Sequence, residues 1–594
     1  MRRREFLGLA ALPFAQALSR APIDTSRGSI VGVDGAAADG VDLIRDWSGP
    51  FCRSRVVNRA ARAVGIKEVV LVDVDLSLPP STALYGEGFQ MLTQTGGTPG
   101  APADYSQYTD AKHYRLPEIE GARAFYGLLT LTPPGQDTSF FAFTSCARFS
   151  GRFRLSATAV AQVYRIAAVV DTEGLTLGPG ATWPLEELMV ASGSDRGGLL
   201  ADLGDRLASH HPPLKTAQPP TGWCSWYCFG PRVTAQQVLD NLDAIAKSVP
   251  ALRYVQIDDG YQSAMGDWLD TGPAFGGNVR TVLDEIRRRG FEPAIWVAPF
   301  VAEEQSHVFQ QHRDWFIKDA DGAPLRSDRV TFGGWRRGPW YALDGTNPAV
   351  QDHFERLFQT MRREWGCTYF KLDANFWGAM HGGRFHDTRA TRVEAYRRGM
   401  QAIGRGAGDA FLLGCNHPIW PSLGVVHGSR SSNDIKRSWD RVMTTARQNL
   451  SRNWQNGRLW WNDPDAVVLA GELSDAECQF HATAIYATGG MILSGDDLTA
   501  MPPARAAILR KLLPPTGVAA QFDDATLQVG QVRLPAARMV CLFNWDDEPR
   551  ALSVRLPGAA SVTDYWTDGS LGRREGVLSI PMTPRSARLL KVLS

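Results

Sequence analysis

Charge imbalance is absent from this sequence. Its 63 basic and 62 acidic residues leave a formal net charge of +1, which gives no electrostatic reason to expect nucleic acid, an anionic membrane or a polyanionic substrate. Long apolar runs are missing too: none approaches the roughly 20 residues that span a bilayer, so no membrane partner is expected. Eight cysteines in 594 residues are too few for a disulfide scaffold, and their spacings contain no C-x-x-C pair or zinc-finger pattern. Cys224 and Cys228 fit small buried thiols better than a metal or disulfide site. The His-Glu-x-x-His zinc motif does not occur, and Gly276-Gly277 and Gly333-Gly334 do not stand in a G-x-G-x-x-G turn between strand and helix. What is present suits a neutral substrate. With 44% hydrophobic and 21% charged residues, the composition is that of a globular protein, and the length calls for two or three domains.

The first residues, Met1-Arg2-Arg3-Arg4-Glu5-Phe6-Leu7, are basic and lead into an apolar stretch from Leu7 to Phe14, followed by Ala15-Gln16-Ala17. That order predicts a twin-arginine-type export signal over residues 1–20, and so a bacterial periplasmic or secreted protein. Residues 21–214 carry short β-type runs separated by Gly, Pro and Asp, among them Glu68 to Leu76, Phe125 to Thr132, Ser139 to Cys146 and Gln162 to Val170. An antiparallel β-sandwich is expected there. The Pro-rich stretch from His211 to Gly222 marks a boundary. Residues 516–594 return to β-type runs and predict a small C-terminal β-sandwich.

Between the two, over residues 215–515, strand-like and helix-like runs alternate. Strands are expected at Gly222 to Phe229, Arg253 to Asp258, Pro293 to Pro299, Thr368 to Asp373, Phe411 to Cys415, Gly424 to His427, Leu459 to Asn462 and Met491 to Ser494. Eight such strands in about 290 residues predict a (β/α)₈ barrel, so the fold class is α/β with flanking β-domains. The carboxyl ends of the strands form the active-site face of such a barrel, and the polar residues cluster there. Strand two ends in Asp258-Asp259, strand four delivers Lys371, Asp373 and Asn375, strand seven ends in Trp461-Asn462-Asp463, and Arg430 and Asp434 follow strand six. Lys371 and Asp373 alternate onto one face of an apolar strand, where only paired or functional charges persist. Asp373 and Asp434 are therefore candidate paired carboxylates for glycosidic-bond hydrolysis. Tryptophans such as Trp223 and Trp461 would offer apolar faces to a sugar ring. A non-catalytic sugar-binding protein and an aldolase-type lyase with Lys371 as Schiff base are the rivals; the missing phosphate turn near strands seven and eight counts against the second.

The series Gly222-Trp223-Cys224-Ser225-Trp226, Asp258-Asp259-Gly260-Tyr261, Lys371-Leu372-Asp373, Arg430 to Ile435 and Trp461 to Asp465 resembles the clan D retaining α-galactosidases, the melibiase families. The resemblance covers roughly Gly222 to Leu513. It implies exo-hydrolysis of terminal α-galactosides, with Asp373 as nucleophile and Asp434 as acid/base. Asp258 and Asp259 would hold the galactose O4 and O6 hydroxyls, Lys371 would hydrogen-bond the sugar, and Arg430 would lie near O2. Trp223, Trp461, Asn375 and Asp463 complete the expected substrate-binding set. Two expectations about charge follow: Lys371 keeps Asp373 ionised, and Asp373 raises the pKa of Asp434. No metal or organic cofactor is implied, and a homo-oligomer remains open. Ala298-Pro299-Phe300 stands where many bacterial members have acidic residues flanking the proline. An α-N-acetylgalactosaminidase, a β-L-arabinopyranosidase or a raffinose-synthase-like transglycosidase are therefore alternatives.

Overall fold

The computed structural model describes residues 24–522 and 524–593; the expected export signal, residues 1–20, lies outside them. The N-terminal β region consists of two antiparallel sheets. One is six-stranded and built around Val64–Ser77, Val163–Asp171 and Ser150–Ala157. The other is nine-stranded and includes Phe51–Asn58, Thr138–Phe143, Leu128–Thr132 and Ala83–Glu87. Their inner faces meet through aromatics, with the Phe143 and Phe153 ring centroids 5.2 Å apart.

The single strand expected over Phe125 to Thr132 is two strands, Arg123–Tyr126 and Leu128–Thr132, and they belong to different sheets. The break falls at Gly127, whose φ of +74° suits glycine. Trp420, from the barrel, lies against this glycine so closely that a Cβ there would meet Trp420 Cδ2 at 2.2 Å. The Trp420 indole also donates to the Phe143 carbonyl at 2.8 Å.

The eight parallel barrel strands are β1 (Thr221–Cys224), β2 (Tyr254–Ile257), β3 (Glu292–Val297), β4 (Tyr369–Leu372), β5 (Phe411–Gly414), β6 (Gly428–Arg430), β7 (Trp461–Asp463) and β8 (Ile492–Ser494). They pair in the order β7-β6-β5-β4-β3-β2-β1-β8. A 2.8 Å bond from the Met491 N–H to the Asn462 carbonyl draws the ends of this row together, so the barrel is nearly closed. Strand six differs from expectation. The apolar Val425-Val426 pair is buried in the turn before the strand, and β6 itself is Gly-Ser-Arg. Gly428 is required there because a Cβ would lie 2.8 Å from Phe411 Cζ.

Alternation along the strands sends one set of side chains inward, where Cys224, Ala294, Tyr369, Phe411, Leu413, Met491 and Leu493 fill the barrel. Three of the surrounding helices, Ala235–Ser248, Arg392–Ala407 and Asp475–Thr488, start with capping boxes made by Thr234 and Gln237, Thr391 and Glu394, and Ser474 and Glu477. The C-terminal β region, a six-stranded antiparallel sheet and a two-stranded one, packs on the last of these through Phe480, which meets Phe543 at 5.1 Å and Trp545 at 5.0 Å. Among the described residues no helix is long and apolar enough to cross a membrane. All eight cysteines are free.

Candidate active site

Period-two alternation lifts Gln256 and Asp258, Lys371 and Asp373, Arg430, and Asp463 into the mouth of the barrel above its apolar filling. Lys371 and Asp258 form the floor. Their Nζ and Oδ2 atoms are 2.9 Å apart, and both side chains are almost fully enclosed. The same Asp258 oxygen accepts from Gln256 Nε2 at 2.7 Å, while Oδ1 accepts the Asp259 N–H at 2.9 Å. Burial alone would favour a neutral lysine, but Asp258 outweighs it and holds the Lys371 pKa well above the ordinary value. A Schiff-base lysine needs the opposite shift.

Asp373, one residue beyond β4, is oriented by three donors. Its Oδ2 accepts from Trp296 Nε1 at 3.0 Å, and its Oδ1 accepts from Asn416 Nδ2 at 2.8 Å and the Ala374 N–H at 2.7 Å. Lys371 was expected to be the partner of this carboxylate; its ion pair goes instead to Asp258, because β4 places Lys371 one pleat deeper. Ala374 and Asn416 both take left-handed conformations, φ +52° and +42°, at the ends of neighbouring strands. Such strain costs of order 1 kcal/mol or more per residue and gathers at functional sites.

Asp434 stands on the loop after β6 with 55% of its side chain exposed, and Arg430 Nη2 donates to its Oδ1 at 2.8 Å. Its pKa was expected to lie high. The Arg430 guanidinium beside it instead sets it below the usual carboxylate range. Asp373 and Asp434 are linked through the end of β5: Asn416 Nδ2 donates to Asp373 at 2.8 Å, and Arg430 donates through Nη1 to the neighbouring Cys415 Sγ at 3.7 Å and through Nη2 to Asp434; burial and the field of both carboxylates push the Tyr114 hydroxyl and the Cys415 thiol well up. Asp463 lies deeper, between Arg430 and Lys371, and burial pushes its carboxyl up to about 6. Asp259 accepts from Gln262 Nε2 at 2.6 Å and from Arg336 of the loop between β3 and β4, and burial raises its pKa.

The structure thus brings Asp258, Asp259, Lys371, Asp373, Arg430, Asp434 and Asp463 together. It does not bring Trp223, Trp461 or Asn375 to them. Trp223 alternates outward into the helix layer, and its indole donates to the Asp496 carbonyl at 2.8 Å. Trp461 is at the opposite end of β7, donating to Thr216 Oγ1 at 3.0 Å. Asn375 is wholly buried beside the Tyr396 hydroxyl. In their place the structure supplies Trp296 and Asn416 on Asp373, Tyr114 from the N-terminal region, Arg336 on Asp259, and Tyr227 and Asp465 behind Arg430. Trp296, at the end of a barrel strand, and Asp465, the last residue of the strand-seven motif, carried a sequence signal.

Residues 240–402 match the family described as Melibiase. An α-galactosidase of Oryza sativa subsp. japonica is 22% identical over 401 residues, taking in 62% of this chain and 84% of that one. The solved α-galactosidase of Thermus thermophilus in complex with p-nitrophenyl α-D-galactopyranoside is 22% identical with a TM-score of 0.63, covering 83% of this chain and 98% of that chain. The chain thus resembles the clan D α-galactosidases in sequence and in fold. The chain is also similar to the A type blood α-D-galactosamine galactosaminidase of Flavonifractor plautii, 26% identical over 208 residues, 33% of this chain. That match spans only 18% of the relative's own length.

Proposed function

We propose that this chain is an exo-acting, retaining α-galactosidase that releases terminal α-galactose through a covalent intermediate on Asp373. The observation that carries the reading is that Asp373 and Asp434 are joined at the barrel mouth through Asn416, Cys415 and Arg430, beside the buried Asp258–Lys371 pair. One carboxylate to attack C1 and one carboxyl group to protonate the leaving oxygen are the two groups that a retaining glycosidase needs. In the first step an Asp373 oxygen bonds to C1 as the bond from C1 to the aglycone oxygen breaks, and Asp434 gives its proton to that oxygen. In the second, water attacks C1, its proton passes to Asp434, and the Asp373 ester breaks. Two inversions restore the α-anomer. Asp258, Asp259 and Lys371 offer acceptors and a donor to the sugar hydroxyls, and Arg430 binds beside C2. No step draws on a metal or organic cofactor.

The test is a chromogen panel of α-galactoside, α-N-acetylgalactosaminide and β-L-arabinopyranoside, with product anomers followed by proton NMR. The α-galactoside should be cleaved fastest, with α-galactose formed first, and Asp373→Ala should lose at least about a thousandfold in kcat. First-formed β-anomer would refute retention. Preferential cleavage of another glycoside would move the specificity to that sugar.

A further inference from the structure

One nitrogen of Arg430 serves two carboxylates. Nη2 lies 2.8 Å from Asp434 Oδ1 and 3.1 Å from Asp465 Oδ2. The two acids differ in every other respect. Asp434 is half exposed in the pocket, whereas the Asp465 side chain is 4% exposed and cannot touch a substrate. Asp465 Oδ2 also accepts the Tyr227 hydroxyl and, at 2.7 Å, the Ile435 N–H, so β1, β6 and β7 converge on one oxygen. The backbone of Asp465 is held at φ +73°, outside the range a non-glycine residue prefers, and its N–H is tied to Asp463 Oδ1 at 3.0 Å. A strained, buried acid held this firmly next to the active guanidinium calls for a chemical reason.

The reason lies in the demand on Asp434. Under the reading above it must hold a proton until the aglycone leaves, yet a lone guanidinium within hydrogen-bond distance opposes that proton. We propose that Asp465 is a positioning residue that balances the charge of Arg430 and thereby sets the proton affinity of Asp434; the inference rests on the glycosidase reading. The groups facing the pair are few. Asp434 sees Arg430, Asp465 beyond it, Lys371 across the barrel, Arg441 on the following helix, and the neutral Tyr114, Tyr227 and Cys415. Asp465 sees Arg430, Asp434, Asp463 and Tyr227. Asp465 is the enclosed carboxylate that contacts Arg430 directly without lining the pocket. The shifts agree with this placement: burial raises the Asp465 carboxyl, with Arg430 opposing, and Arg430 holds Asp434 low.

The experiment compares wild type, Asp465→Asn, Asp465→Glu and Tyr227→Phe on a methyl α-galactoside, whose leaving oxygen needs a proton, and on a 2,4-dinitrophenyl α-galactoside, whose leaving group does not. In Asp465→Asn, Arg430 acts on Asp434 alone. The alkaline limb of kcat/KM should move down by about one pH unit, with about tenfold loss on the methyl substrate at pH 7 and less than about threefold on the dinitrophenyl one. Asp465→Glu keeps the charge and should restore the limb. If Asp465→Asn does not fold, Tyr227→Phe still decides the matter: it strips from Asp465 a donor that favours the ionised carboxylate, so Asp465 offsets Arg430 less, and the limb should again move downward. Equal losses on both substrates with an unmoved limb, or an upward shift in Tyr227→Phe, would overturn the proposal. Wild type without α-galactosidase activity, or Asp373→Ala as active as wild type, would overturn the glycosidase reading itself.

Discussion

Asp463 sits among Arg430, Lys371 and Asp465 within the barrel mouth, and burial there pushes its carboxyl up to about 6, above the 3.8 expected of a free aspartate. The fold therefore opposes its ionisation, and the penalty enters as pH rises through that interval and is complete above about 6. Relative to Asp463→Asn, wild type should lose of order 2 kcal/mol of unfolding free energy between pH 4 and 6.5, read from urea denaturation at each pH. A constant difference across that range would place the titration elsewhere. At this scale Asp373 and Lys371 were legible because charges inside an apolar strand need a partner or a task. Trp223 was not, since a shift of one residue along a strand turns a side chain to the other face. The partner of Lys371 could not be read either: Asp258 comes from a different strand, and only barrel closure decides which pleat levels coincide.

Strands with apolar inward and outward faces announced themselves; β6 did not. Its Gly-Ser-Arg sequence spends its inward positions on close packing and on Arg430, leaving no β-type pattern, while the neighbouring Val425 and Val426 form a buried turn that mimics one. The run around Gly127 failed for a related reason. Its residues favour a strand throughout, but one glycine at φ +74° redirects the chain between sheets and admits Trp420. Gly127→Ala should cost about 2–4 kcal/mol, from backbone strain plus displacement of an indole that a Cβ would overlap. Chemical denaturation would measure it, and a change under about 0.5 kcal/mol would mean that the indole has room to yield.

Across the whole molecule, the pocket depends on the N-terminal sheets. Glu87 and Arg452, both fully enclosed, meet at 2.6 Å, and Arg452 also donates to the carbonyls of Met91 at 2.6 Å and Ser431 at 3.0 Å. Ser431 adjoins Arg430, so a carboxylate of the sandwich anchors the segment that presents Asp434. Glu87→Ala should leave an uncompensated buried guanidinium, costing about 3–5 kcal/mol, and should lower kcat even at temperatures where the protein stays folded. Full activity in a correctly folded Glu87→Ala protein would show the barrel to be self-sufficient. Nothing local to Glu87 or Tyr114 could have disclosed these roles, because their partners lie hundreds of residues further along. The Glu87–Arg452 contact also imposes an order on biosynthesis. The sandwich strands leave the ribosome first, and Glu87 must remain hydrated until Arg452 has been synthesised, so the joint between sandwich and barrel can lose its water only after most of the chain has been translated.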